Sequence, residues 1–278
     1  MSGKVDPLYI LARRVLLDTL EALGDQRKAL ILVGAQAIYL HTGPAGLAIP
    51  EYTTDVDIGL DPQFLSDNPL LEEAFQGAGF SPAPRSVGSW ITKRKLSGKE
   101  IEVAVDLLVP ESIGGPGRRG ARLGVHGNRV ARKTKGLEAA LVDKSEMTIS
   151  SLEPDQSADK RSYVVAVAGP TALLIAKLHK MNDREGDRDR LTDKDALDVL
   201  RLLRTIPSDT FSNTLQKLMT DKVTSKVSHE SITLLEHFFS KPDSIGSQMA
   251  ARAASPLEPF DTTAASSAAL ANDLLKLL

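Results

Sequence analysis

Apolar and polar positions divide the chain into a first part rich in short strands and a last part made of helices. Leu8, Leu11, Val15, Leu16, Leu20 and Leu23 recur at helical spacing, and Gly24-Asp25 closes the helix predicted over 7–23. The apolar run Ala29 to Val33 predicts a short strand, Gly34-Ala35 a turn, and a helix follows from about Gln36. Residues 43–50 read as a loop before the segment Thr53-Thr-Asp-Val-Asp-Ile-Gly-Leu60, which reads as a strand. A helix is expected near 69–77, and 80–89 is Pro-rich and irregular. Residues 89–95 and 100–109 pair as a hairpin through Ser97-Gly98-Lys99. Strict alternation puts Val103, Val105, Leu107 and Val109 on one face and Glu102, Ala104, Asp106 and Leu108 on the other. Short strands are predicted at 139–142 and 163–168. Gly169-Pro170-Thr171 opens a helix, Thr192 N-caps the next, and helices are expected over 211–218, 228–239 and 265–278.

This pattern places three carboxylates where they carry meaning. Asp55 and Asp57 sit two apart in a strand, so they share a face. Like charges so close repel and call for a cation between them, and hard oxygen ligands suit magnesium or manganese. Asp106 lies inside an apolar strand, either at a solvated edge or as a third ligand facing the first two. The strand, turn and helix start at Gly34-Ala35 offer backbone N–H groups and a positive dipole end to an anion such as a phosphate.

Composition narrows the classes. A chain of 278 residues can bury one large or two small cores. A net charge of -2 gives no global basic footprint for nucleic acid. With no cysteine there is no disulfide framework and no thiolate chemistry. No apolar run reaches membrane-spanning length and the first residues carry no apolar signal core, so a soluble, cytoplasmic protein with no membrane partner is expected. Charge is concentrated locally. Residues 112–135 are Gly-rich and carry Arg118, Arg119, Arg122, Arg129, Arg132, Lys133 and Lys135, which read as a solvated loop or as a mobile basic flap over NTP or RNA phosphates. His126 lies in the same stretch as a candidate phosphate contact. Lys177, Lys180 and Arg184 fall on one helical face, and Asp195 and Asp198 are i, i+3 neighbours positioned to pair with Lys177 or Arg184.

Gly34-Ala35, then Asp55-Val-Asp57, then Asp106 is an order that resembles the nucleotidyltransferase superfamily with the DNA polymerase β-like fold. The second half, with Lys177 and Arg184 on one helix and Lys194-Asp195-Ala-Leu-Asp198 on the next, resembles AbiEii-type proteins, a group that includes MenT-like toxin nucleotidyltransferases. The resemblance spans about 28–205. It implies an α/β (α+β) nucleotidyltransferase fold: a catalytic domain over 1–150 with a mixed sheet flanked by helices, and a helical domain over 151–278 that completes the cleft. It further implies transfer of an NMP from an NTP to an acceptor hydroxyl, with RNA or tRNA as acceptor and a cognate antitoxin as partner. In that scheme Asp55, Asp57 and Asp106 hold Mg2+ or Mn2+, and Lys177 acts on the triphosphate. Gly34, Ala35, Thr53, Lys177, Arg184 and Asp195 form the nucleotide site.

The chain departs from the pattern at Ala35, where Ser or Gly is usual, at Glu51, where the group often has a basic residue, and at Lys180, where a small residue is common. Three further readings stand beside the RNA-modifying one: a small-molecule or protein acceptor, a non-catalytic nucleotide-binding module of the same fold, and a plain α/β interaction protein.

Overall fold

The computed structural model describes residues 5–43, 51–154, 158–187 and 191–278. The loop expected before the Asp-x-Asp strand lies, for 44–50, outside the described residues, as does 188–190 of the charged loop after Arg184. The chain forms two compact units: Met1–Ala37, Pro50–Thr134 and Lys144–Ala168 make the first, and Ile38–Ile49, Lys135–Asp143 and Gly169–Leu278 the second. It therefore passes between units several times, and the boundary expected near 150 falls inside a hairpin of the first unit.

That unit is a mixed sheet with helices. Its strands are β1 (Leu30–Val33), β2 (Asp55–Leu60), β3 (Ser81–Pro82), β4 (Ser89–Leu96), β5 (Lys99–Pro110), β6 (Arg132–Thr134), β7 (Lys144–Ser150) and β8 (Ser162–Ala168). They order as β3-β4-β5-β2-β1-β8-β7, with β6 also on β5. β2 runs antiparallel to β1 and parallel to β5. Ser97 and Gly98, at φ 50° and 78°, form the two-residue turn between β4 and β5 in the left-handed conformations a primed hairpin turn needs. Helix α1 (Pro7–Ala22) starts with Asp6 accepting from the Leu8 N–H and Pro7 in the first turn, and it packs across β2, β4, β5 and β8. Val56, Ile58, Val103, Val105 and Leu107 are buried in alternation.

Two expectations change in this unit, and one strand appears where none was expected. The segment 112–131 is not a loose flap: Ala121, Leu123, Val130 and Ala131 are buried, and backbone bonds join Ala121 to Ala131 at 3.0 Å and Lys133 to Arg119 at 2.8 Å. His126 is buried, its Nδ1 accepting from the Leu71 N–H at 3.2 Å and its Nε2 donating to the Ser66 carbonyl at 2.9 Å, so neither nitrogen is left for a phosphate. β7 lacked a clear apolar pattern because it is half exposed. It pairs antiparallel with β8, and β8 runs parallel to β1.

The second unit holds the end of α2 (Gly34–Thr42), then α4 (Pro170–Arg184), α5 (Asp193–Thr205), α6 (Ser208–Thr220), α7 (Ser225–Phe239), α8 (Ile245–Ala254) and α9 (Phe260–Leu275); α3 (Leu71–Gly77) belongs to the first. Residues 139–142 are not a strand; they close a 3-10 turn, Leu137–Leu141, that leads to Asp143. Asp143 accepts from the Ala172 N–H at 2.8 Å, so the cap of α4 comes from a distant residue. Its carboxyl is raised by burial, an effect that this bond and His41 oppose. Among the described residues no helix is long and apolar enough to cross a membrane.

The interior of this unit carries an ion cluster. Lys177 Nζ lies 2.8 Å from Asp195 and 2.7 Å from Asp198, with side-chain exposures of 7, 3 and 1 %. Burial works against each charge, yet Lys177 stays well above its ordinary value and Asp195 well below because each stabilises the other. The depressed Asp195 contributes stability that is complete above the ordinary carboxylate value, about 4, and lost as pH falls below it. The raised Lys177 contributes stability that is complete below about 10 and lost as pH rises beyond. Lys177→Met therefore lowers unfolding stability at pH 7 by about 3–5 kcal/mol in denaturant titrations. The loss shrinks as pH approaches 4, where a carboxyl can take a proton instead; a variant as stable as wild type at pH 7 contradicts this.

Candidate functional site

Asp57 and Asp106 are direct partners across the parallel β2–β5 pair, and Asp55 stands opposite Ala104. Direct partners on neighbouring strands lie about 4.8 Å apart, and residues two apart on one strand about 6.6 Å. All three carboxylates therefore share the face opposite the buried Val56, Ile58, Val103 and Val105, and all three are partly exposed. Two unit negative charges about 5 Å apart repel by about 3 kcal/mol at an effective dielectric constant of 20. The surrounding groups answer that repulsion one by one.

Gly34 answers at Asp57. It has φ +70°, and a Cβ there would lie 2.1 Å from Asp57 Oδ2 and 2.8 Å from Asp57 Cβ. The space that a side chain at residue 34 would fill is taken by the Asp57 side chain. α2 begins at Gly34, with Ala35 buried, so Asp57 sits where the helix presents its positive end. Thr53, buried, donates its hydroxyl to Asp55 Oδ1.

Behind Asp55 lies a buried relay. Gln36 Nε2 donates to the Asp55 carbonyl at 3.3 Å, and Gln36 Oε1 accepts from Arg13 Nε at 2.9 Å. Arg13, 3 % exposed, also donates to the Ser150 carbonyl at 3.1 Å and to the Tyr9 hydroxyl at 3.0 Å. Burial pushes the Tyr9 phenol up to about 12, so the hydroxyl stays protonated at neutral pH. The relay was not anticipated from sequence; its signal is Tyr9 and Arg13 four apart among the apolar residues Leu11, Ala12, Val15 and Leu16 of α1.

Arg132, one of seven cations in the basic stretch, supplies the counter-charge. Its guanidinium lies 2.7 Å from Asp106 Oδ2. Burial works against its charge, but Asp106, then Asp57, then Asp55 outweigh it and raise it above the ordinary arginine value. β4 begins at Ser89, opposite Asp106, and β6 continues along the same edge of β5 with Arg132 opposite Leu108. Gly88, at φ +74°, sits in the junction, where a Cβ would lie 2.3 Å from the Arg132 backbone nitrogen. Arg118, Arg119, Arg122 and Arg129 are exposed on the same segment.

Lys177, Arg184 and Asp195, the remaining expected site residues, belong to the second unit. Asp195 gathers Lys177, Lys180 at 3.0 Å and Arg184 at 3.3 Å, and accepts from the Thr192 hydroxyl at 3.1 Å. Lys180 is thereby an ion partner of Asp195.

The donor set suits a hard divalent cation, but among the described residues no three His, Asp or Glu side chains converge on one point as a metal cage. Magnesium commonly takes one or two protein carboxylates and completes its shell with water and substrate phosphates, so Asp55 and Asp57 fit that use. The chain matches no family model, no curated protein and no solved structure.

The contact between Gly34 and Asp57 is testable by size alone. Gly34→Ala lowers stability by at least about 2 kcal/mol through the left-handed φ and the overlap with Asp57. Gly79→Ala, also at positive φ (+80°) but with open space around it, costs about 1 kcal/mol. Equal losses in chemical denaturation would contradict the steric part of this account.

Proposed function

We propose that this chain is a metal-dependent nucleotidyltransferase that moves an NMP from an NTP to an acceptor hydroxyl, with RNA as the acceptor class. The observation that carries the reading is the three-carboxylate face, with Asp57 paired in register with Asp106 and Asp55 on the same side. A divalent cation bound by Asp55 and Asp57 would supply positive charge to the triphosphate and the leaving oxygens. Asp106 orients the acceptor hydroxyl and receives its proton as the oxygen bonds to the α-phosphorus. The bond from that phosphorus to the bridging oxygen breaks and pyrophosphate leaves. Thr53 fixes the Asp55 carboxylate, and Asp57 lies beside Gly34 at the start of α2.

Lys177, Arg184 and Asp195 enter through the family pattern. The buried pairing of Lys177 with Asp195 and Asp198 favours an ordering part for this lysine over a direct phosphate contact. The exposed arginines at 118, 119, 122 and 129 support a polyanionic acceptor. A toxin role with a cognate antitoxin rests on the AbiEii-type resemblance.

Incubation with each α-labelled NTP, Mg2+ and total tRNA tests the reading. Label passes to RNA with wild type and falls by at least about a hundredfold with Asp55→Ala/Asp57→Ala. Magnesium-dependent NTP binding without transfer to RNA moves the acceptor to a small molecule or a protein. Absence of metal-dependent NTP binding refutes the reading.

A further inference from the structure

Arg132 stands in a position that a plain carboxylate site does not require. Its backbone is fixed by β6 pairing with β5 and by the junction at Gly88, while its side chain remains 31 % exposed and reaches Asp106, itself 19 % exposed. A partly exposed ion pair exchanges partners readily, because water and dissolved ions reach both groups. Three carboxylates and one guanidinium leave a formal charge of two negatives on this face, the amount that one divalent cation neutralises. A planar guanidinium forms two parallel hydrogen bonds to a carboxylate or to a phosphate with similar geometry. Arg132 can therefore leave Asp106 for a phosphate without moving its backbone.

We propose that Arg132 is a built-in counter-cation. It occupies Asp106 while the face holds no divalent ion, and it turns its guanidinium to the phosphate of the ligand when cation and nucleotide bind. The proposal rests on the nucleotidyltransferase reading and adds an order to it. Metal alone competes with Arg132 for the carboxylate face. Metal with a phosphate chain does not, because the phosphate gives the guanidinium a second anion. Arg132 is thus a positioning residue in the free protein and a phosphate ligand in the complex.

Mn2+ titrations of the full-length chain, read by electron paramagnetic resonance with and without inorganic tripolyphosphate, test this. Arg132→Gln is expected to bind Mn2+ alone about tenfold more tightly than wild type and to bind tripolyphosphate in the presence of Mn2+ about tenfold more weakly. Arg132→Lys keeps the charge but loses the fork. It is expected to keep wild-type Mn2+ affinity while losing tripolyphosphate affinity, and it carries the test if the glutamine variant does not fold. Equal Mn2+ affinity in wild type and Arg132→Gln, or unchanged tripolyphosphate affinity in Arg132→Lys, overturns the proposal alone. If wild type and both variants bind no Mn2+, the nucleotidyltransferase reading falls and takes the proposal with it.

Discussion

Mutual repulsion of Asp55, Asp57 and Asp106 is the constraint around which the first unit is arranged. A parallel β2–β5 pair that sets two aspartates directly opposite one another is unfavourable by itself. It persists because each charge has an answer drawn from a different part of the chain. Asp57 has the start of α2, reachable only because residue 34 lacks a Cβ. Asp55 has the Thr53 hydroxyl, and its backbone is tied through Gln36 to a buried arginine in α1. Asp106 has Arg132, delivered by a three-residue strand that continues the edge beyond the start of β4. Sites that concentrate like charge at the cost of stability are where function is usually found.

The second unit handles buried charge in the opposite way. There one carboxylate, Asp195, draws in three cations and a hydroxyl, while Asp198 takes the remaining side of Lys177. Such a cluster is expensive to break and adds little beyond what an apolar packing would supply; its bonds run from Lys177 on α4 to Asp195 and Asp198 on α5. Arg201, buried on α5 with its guanidinium over the Tyr39 ring at 5.4 Å, belongs to the same interior.

Much of this was legible in the residues. Period-two alternation placed Asp106 opposite the buried valines of β5, and the Ser97-Gly98 turn fixed the hairpin, because both signals are local. The helical spacing of α1, α4 and α5 was equally plain. What sequence could not carry was pairing at a distance. β7 is too exposed to show a pattern, Ala139 and Ala140 are apolar because they are buried in a 3-10 turn, and α8 hides in an Ala/Ser-rich stretch. The basic segment looked loose because its glycines and arginines suggest solvent, whereas its few apolar residues pin it down. Arg132 could not be told from its neighbours without the register of β6.

Diffraction from crystals soaked with Mn2+ and a non-hydrolysable NTP, with anomalous data, addresses the central claim most directly. The account places the manganese peak against the carboxylates of Asp55 and Asp57, with the triphosphate completing its shell and Asp106 no longer bound to Arg132. Nucleotide bound with no manganese at that pair, or manganese elsewhere with Arg132 still on Asp106, would contradict it.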